Sequence, residues 1–227
     1  MSENYLKYSK YIDHTCLKQN ASYENIKKLC DEAQKYEFFS VCVNPFYVSY
    51  AKKILMKSNV KVCTVVGFPL GQNTTESKTY ECVDAVQKGA DEIDMVINVS
   101  ELKNKNLNYC IDEINHVKKA CLGKTLKVIV ETCLLTYEEK LNACYVVLNS
   151  QADFIKTSTG FSYGGATFDD IKLFKEKLGN YKKINAAGGI KTSSDLIEMV
   201  NLGADRIGTS KGVDLVLGCY DSKNKNY

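Results

Sequence analysis

The chain has only two histidines, and its ten cysteines include no C-x-x-C pair. A zinc centre built on clustered Cys and His ligands is therefore not expected. An excess of charge of one sign is also lacking. The 30 Lys and Arg against 27 Asp and Glu leave +3, and no basic cluster interleaves with aromatics, which argues against a nucleic-acid partner. No apolar run approaches the ~20 residues needed to span a bilayer, so no membrane partner is expected. The first residues, MSENYLKYSKYID, are polar and lack the apolar core of an export signal, so the expected location is the cytoplasm. The scattered cysteines, as in VCV, KVCTVV and NACYVV, read as small buried hydrophobes carrying reduced thiols. No G-x-G-x-x-G follows the first strand-like segment, as a dinucleotide-binding sheet would usually require.

What the sequence does hold is alternation. Strand-like runs are expected at 11–15, 40–44, 60–67, 91–98, 126–132, 152–158, 183–187 and 206–209. Helical stretches are expected at 22–36, 46–56, 75–89, 107–121, 137–149, 168–178 and 194–202, with at most a short helix at 212–218. Ser22 suits an N-cap, although the third helical position is Asn25 rather than the glutamate of a full capping box. The strands are apolar on both faces, as in a parallel sheet covered by helices. Eight βα units at this length predict an α/β protein, a single-domain (β/α)8 barrel over residues 1–218, followed by a flexible polar tail at 219–227.

In such a barrel the chemistry sits at the C-terminal ends of the strands. Those ends carry Asp13, His14 and Thr15, Cys42 and Asn44, Asp94 and Asn98, Glu131, Lys156 with Thr157 and Ser158, Asn185, and Gly208 to Ser210. Lys156, in DFIKTSTGF (153–161), is the position around which the others are organised. Desolvation at the mouth of a buried strand penalises an ammonium and makes the amine a usable nucleophile; the plainer alternative is a lysine snorkelling to solvent. Asp94, in DEIDMVIN, would face the lumen as a buried carboxylate needing a cationic partner, with a structural ion pair as the plainer alternative. Gly188-Gly189 and the 208–212 stretch are candidate phosphate cradles after the last two strands. His14 reads as a hydrogen-bonded structural residue before a proton shuttle. Cys42 reads as packing, although a thiol there could trap an unsaturated aldehyde.

IDHT (12–15), VCVNP (41–45), VVGFPLG (65–71), GADEIDMVIN (89–98), KVIVET (127–132), FIKTSTGF (154–161), GGAT (164–167), AAGGI (186–190) and RIGTSKG (206–212) resemble, in order, the deoxyribose-phosphate aldolase family. The resemblance implies a (β/α)8 class I aldolase. It would cleave 2-deoxyribose 5-phosphate to glyceraldehyde 3-phosphate and acetaldehyde, without metal or organic cofactor, as a dimer or tetramer. By the same match, Lys156 is the expected Schiff-base lysine and Asp94 the acid/base carboxylate. Asp13, Thr157, Gly188, Gly189, Thr209 and Ser210 are the expected substrate-binding set, with membership of the Asp94 network as the alternative for Asp13. The closing residue of the tail, Tyr227, resembles a tail tyrosine that helps protonate the enamine.

One position departs from the pattern. The family typically carries a second lysine just before A-[SA]-G-G, and here that residue is Asn185. Asparagine cannot supply the positive charge that keeps a neighbouring amine neutral. Lys183 points to the same side about 7 Å deeper along the strand, either as a bottom-rim lysine or as a replacement reaching upward. Asn185 is therefore expected to lower activity. Two rivals stand beside this reading: a Schiff-base barrel with another donor, against which the long resemblance argues, and, suggested by Asn185, a catalytically silent barrel that binds sugar phosphate.

Overall fold

A computed structural model describes residues 5–219. Eight parallel strands close into a barrel in sequence order, with β8 paired to β1. The strands are β1 (Ile12–Cys16), β2 (Ser40–Val43), β3 (Lys61–Val66), β4 (Glu92–Val96), β5 (Thr125–Ile129), β6 (Phe154–Lys156), β7 (Lys183–Ala187) and β8 (Arg206–Thr209). The helices are α1 (Tyr23–Lys35), α2 (Val48–Ile54), α3 (Thr75–Gln87), α4 (Val99–Lys103), α5 (Leu107–Ala120), α6 (Tyr137–Asn149), α7 (Phe168–Leu178), α8 (Ser193–Asn201) and α9 (Gly212–Leu217).

Side chains alternate between two environments along each strand. Val41, Val62, Ile93, Leu126, Ile155, Ile184 and Ile207 are buried in the main apolar core, which the helices share. Intervening residues turn into the lumen, where the polar groups of the chain converge. Cys30, Cys82, Cys110, Cys121 and Cys144 are buried in the main apolar core as small hydrophobes, Cys16 and Cys133 are half-buried and Cys219 is exposed, and all ten thiols are free. Among the described residues, no helix is long and apolar enough to cross a membrane.

Helix starts are fixed locally. Thr136, Thr167 and Thr192 each form a capping box with Glu139, Asp170 and Asp195. Ser22 and Asn25 also complete one, because the asparagine carboxamide accepts from the Ser22 N–H at 2.9 Å as a glutamate would. The expected second helix starts later than 46, since Pro45 opens a 3-10 turn before α2. Strand β5 ends at Ile129, short of the expected 132, because Glu131 adopts a left-handed conformation (φ 54°) and turns the chain. The tail from 220 onward, and with it Tyr227, lies outside the described residues.

Candidate active site

The lumen contains three carboxylates, Asp13, Glu92 and Asp94, set against three cations, Lys127, Lys156 and Arg206, all buried. Asp94 stands at the centre. Its Oδ2 accepts from Lys156 Nζ at 2.6 Å and its Oδ1 from Lys127 Nζ at 2.8 Å. Lys127 also meets Glu92 at 2.7 Å. Arg206 donates to Glu92 at 3.2 Å and to Asp13, and Asp13 further accepts from Ser40 at 2.6 Å and from Asn185 Nδ2 at 2.8 Å.

Protonation follows from this pairing. Burial alone would push the Asp94 carboxyl up, but Lys127 and Lys156 outweigh it and hold it well below the usual carboxylate range. Burial pulls the Lys156 ammonium down, yet the Asp94 charge beside it wins and moves it above the ordinary lysine value. Lys127 is raised in the same way against its own desolvation, chiefly by Asp94. The resting site is thus a charge-balanced lattice in which Lys156 is an ammonium.

Above this layer opens a cavity of about 660 Å³. Lys156 and Gly208 are at its floor, Phe68 and Phe161 on one wall, and Gly188, Gly189, Thr209 and Ser210 on another. The two aromatic rings meet edge to face at 5.2 Å. Gly188 and Gly189 adopt consecutive positive φ angles of 71° and 75°, a conformation glycine alone enters readily. The loop after β6 packs directly on this turn: a Cβ on Gly165 would stand 2.4 Å from the Gly188 carbonyl carbon. Glu131 orders the same loop by accepting from Thr159 Oγ1 at 2.5 Å. His14 lines the cavity with its Nε2 bound to Glu32 at 2.8 Å, and burial lowers its pKa, so it is held as a structural hydrogen-bonding group.

Two residues of the expected binding set, Thr157 and Asp13, do not line the cavity. Thr157 does not face the cavity: Lys156 and Ser158 take the lumen side, and alternation sends Thr157 into the β6–β7 seam. There its hydroxyl donates to the Ala187 carbonyl at 3.1 Å and accepts from the Ala187 N–H at 3.0 Å. Asp13 lies below the cavity with its oxygens engaged by Ser40, Arg206 and Asn185, so it organises the floor instead of touching substrate. In the 208–212 stretch, Gly208 to Lys211 line the cavity, while Gly212 is packed on β1, where a Cβ would meet Ile12 at 2.9 Å. Lys183 stays at the bottom rim, exposed, with its ammonium 5.7 Å from the Phe154 ring, and does not replace the missing lysine.

Lys127, Glu92 and Arg206 were not singled out from sequence. The signal was available for two of them, since a lysine in KVIVET and a glutamate in DEIDMV each interrupt an apolar strand. Ser158, one of the strand-end residues named from sequence but outside the expected binding set, is a buried hydroxyl lining the cavity without a hydrogen-bond partner among the described residues. Cys42, Cys63 and Asp94 bring possible metal donors within 4.8 Å of one another. Both Asp94 oxygens already hold ammonium groups, however, and a cation would have to displace them.

The match to known families decides between rival barrels. The model of the DeoC/LacD family of aldolases covers residues 8–216. The chain belongs to that aldolase family. It is 60% identical over 219 residues to the deoxyribose-phosphate aldolase of Malacoplasma penetrans, covering 96% of this chain and 97% of the relative. It is 52% identical to the deoxyribose-phosphate aldolase of Finegoldia magna, covering 94% of this chain and 100% of that one. Among solved structures, the tetrameric deoxyribose phosphate aldolase of Aeropyrum pernix superposes with a TM-score of 0.86 at 29% identity, over 93% of this chain and 90% of that one.

Proposed function

We propose that this aldolase cleaves 2-deoxyribose 5-phosphate reversibly to glyceraldehyde 3-phosphate and acetaldehyde through a Schiff base on Lys156. The observation that carries the reading is the Lys156–Asp94 pair, at 2.6 Å, at the floor of the barrel cavity. The Lys156 amine, once freed of its third proton, adds to the substrate aldehyde, and loss of water leaves an iminium. The iminium at C1 draws electrons from the C2–C3 bond, which breaks as the C3 hydroxyl gives up its proton and becomes the aldehyde of glyceraldehyde 3-phosphate. The resulting enamine takes a proton at carbon and is hydrolysed to acetaldehyde. Asp94 is the proton carrier nearest the nitrogen, and Lys127 fixes its other oxygen.

The phosphate is assigned to the wall formed by Gly188, Gly189, Thr209 and Ser210, where backbone N–H groups of the glycine turn and the Ser210 hydroxyl are available. The Aeropyrum pernix likeness supports assembly as a homo-oligomer. The reading is tested by borohydride reduction in the presence of deoxyribose 5-phosphate, followed by peptide mass mapping. The expected adduct is on Lys156. An adduct on Lys127 or Lys183 would refute the assignment, and sugar-phosphate binding without any adduct would make the protein a silent barrel, the reading that Asn185 otherwise favours.

A further inference from the structure

We infer that Asn185 is a catalytic residue, whose Oδ1 holds the water lost and regained at the substrate's carbonyl carbon as the Schiff base forms and breaks. The inference rests on the Schiff-base reading of Lys156 and goes beyond it. It gives the asparagine a role of its own, where the sequence suggested only a missing charge.

The orientation of the carboxamide is fixed by chemistry. Asp13 is ionised, because Arg206 and Lys127 outweigh the effect of burial and hold its carboxyl below the usual range. An ionised carboxylate only accepts, so the Asn185 group 2.8 Å from Asp13 Oδ2 must be the NH2. Oδ1 therefore points the other way. It is fully buried and has no hydrogen-bond partner among the described residues. An unpaired acceptor in that position costs free energy unless the working site gives it a donor.

The space it faces is left by Gly208. A Cβ built on that glycine would lie 3.5 Å from Lys156 Nζ and 3.6 Å from Asn185 Oδ1. Any alanine or larger residue would fill the place between the nucleophile and the acceptor. Gly208 and Lys156 line the cavity and Asn185 does not, so Oδ1 is met by an oxygen carried on the carbon bound to the Lys156 nitrogen. Its left-handed neighbours Gly188 and Gly189 serve the loop, but Gly208 itself has no positive φ and needs no glycine for its backbone.

The step balances without another reactant. Lys156 reacts as the amine, its third proton having gone to solvent. Of the two protons left, one stays on the iminium nitrogen and one passes to the former carbonyl oxygen, which takes a second from solvent and leaves as water with the electron pair of the C–O bond. Asp94 relays the protons. Asn185 cannot transfer one, but its Oδ1 accepts from the O–H of the carbinolamine and then from the water. It thereby keeps that oxygen beside the carbon for the reverse attack. Because hydration retraces dehydration, the same contact stabilises both directions equally.

The test uses rapid mixing of the full chain with acetaldehyde and quenching with borohydride. This gives the rate of adduct formation, the rate of its hydrolysis and the fraction present at equilibrium. Two variants are compared, Asn185→Leu, which removes the acceptor, and Gly208→Ala, which fills the space and leaves Asn185 in place. Both are expected to slow formation and hydrolysis together by about tenfold, the scale of one lost hydrogen bond. The equilibrium adduct fraction and the exchange of methyl protons within the adduct should stay as in the unsubstituted protein. Adduct forming at the unsubstituted rate in both variants would overturn the inference. So would parallel loss of adduct fraction and methyl exchange, which marks a merely structural role. No adduct in the unsubstituted protein would overturn the Schiff-base reading itself, and this inference with it.

Discussion

Lys156 is held as an ammonium by a carboxylate 2.6 Å away, and that sets a pH dependence. Its pKa is raised above the ordinary lysine value, so at neutral pH only a small share is free amine. Asp94 is held too low to keep the released proton, which must go to solvent. The predicted kcat/KM for deoxyribose 5-phosphate therefore climbs with pH from about 7 to about 9 without levelling off. Adding a fourth cation to the balanced three by Asn185→Lys would push the proton off. It should move the rise down by about two units and increase turnover at neutral pH by up to roughly a hundredfold. The ceiling at high pH should fall, because Oδ1 is gone. A flat profile in the unsubstituted protein would show that another group supplies the charge. Residue by residue, Lys156, Asp94 and Asn185 stand out in the sequence because each breaks an apolar strand or a family pattern at a strand end, and the fold pairs the first two at 2.6 Å. Thr157 turns away from the cavity because strand alternation continues past the end of β6 through Ser158. The unpaired Oδ1 of Asn185 was not legible at all, since it depends on what Asp13 takes.

At the level of elements, helices α3 and α5 are joined by a fully buried ion pair, Lys78 Nζ to Glu113 Oε1 at 2.8 Å. Glu113 also accepts from the Asn98 N–H at 3.3 Å, and the Lys78 stem lies under Gly67, where a Cβ would approach its Cε to 2.8 Å. The pair thus ties the outer helices to the segments that follow β3 and β4. Removing one partner leaves an uncompensated buried charge. Glu113→Gln is predicted to cost about 3–5 kcal/mol of stability in urea unfolding, while the double change Lys78→Met with Glu113→Leu costs far less. Equal losses would mean that packing, and not charge, dominates the seam. This link was invisible in sequence, because nothing local marks a lysine in TESKTYE as buried. The elements themselves were largely legible. Helices α6 and α7 and strands β7 and β8 fall where periodicity and flanking glycines put them. Short α4 was missed: its five residues are too few for a period, and its start depends on Asn98 accepting from the Glu101 N–H.

At the scale of the molecule, the barrel brings one end of every strand to a single mouth, so a substrate can be held at two points set by different strands. In the proposed reading, Lys156 would supply the covalent point at the end of β6, and the wall of Gly188, Gly189, Thr209 and Ser210 the other, after β7 and β8. The order of strands around the barrel makes these neighbours, since β6 pairs β7 and β7 pairs β8. That closure was readable from the eight-fold alternation. The charge lattice beneath it was not, because Asp13 and Arg206 are far apart in the chain and meet only when β8 pairs with β1. Ser210 is exposed and lines the cavity, so a glutamate there can be accommodated without disturbing the buried floor. Its charge would oppose a phosphate at that wall and remove a hydroxyl that donates to it. A neutral deoxyribose, anchored only at Lys156, would be indifferent to the change. Ser210→Glu is therefore predicted to raise KM for deoxyribose 5-phosphate at least about tenfold, the scale of one lost charge-assisted hydrogen bond. The kcat/KM for unphosphorylated deoxyribose should be nearly unaltered. Steady-state kinetics on the two sugars measure this directly, and an equal loss for both would place the phosphate elsewhere on the mouth.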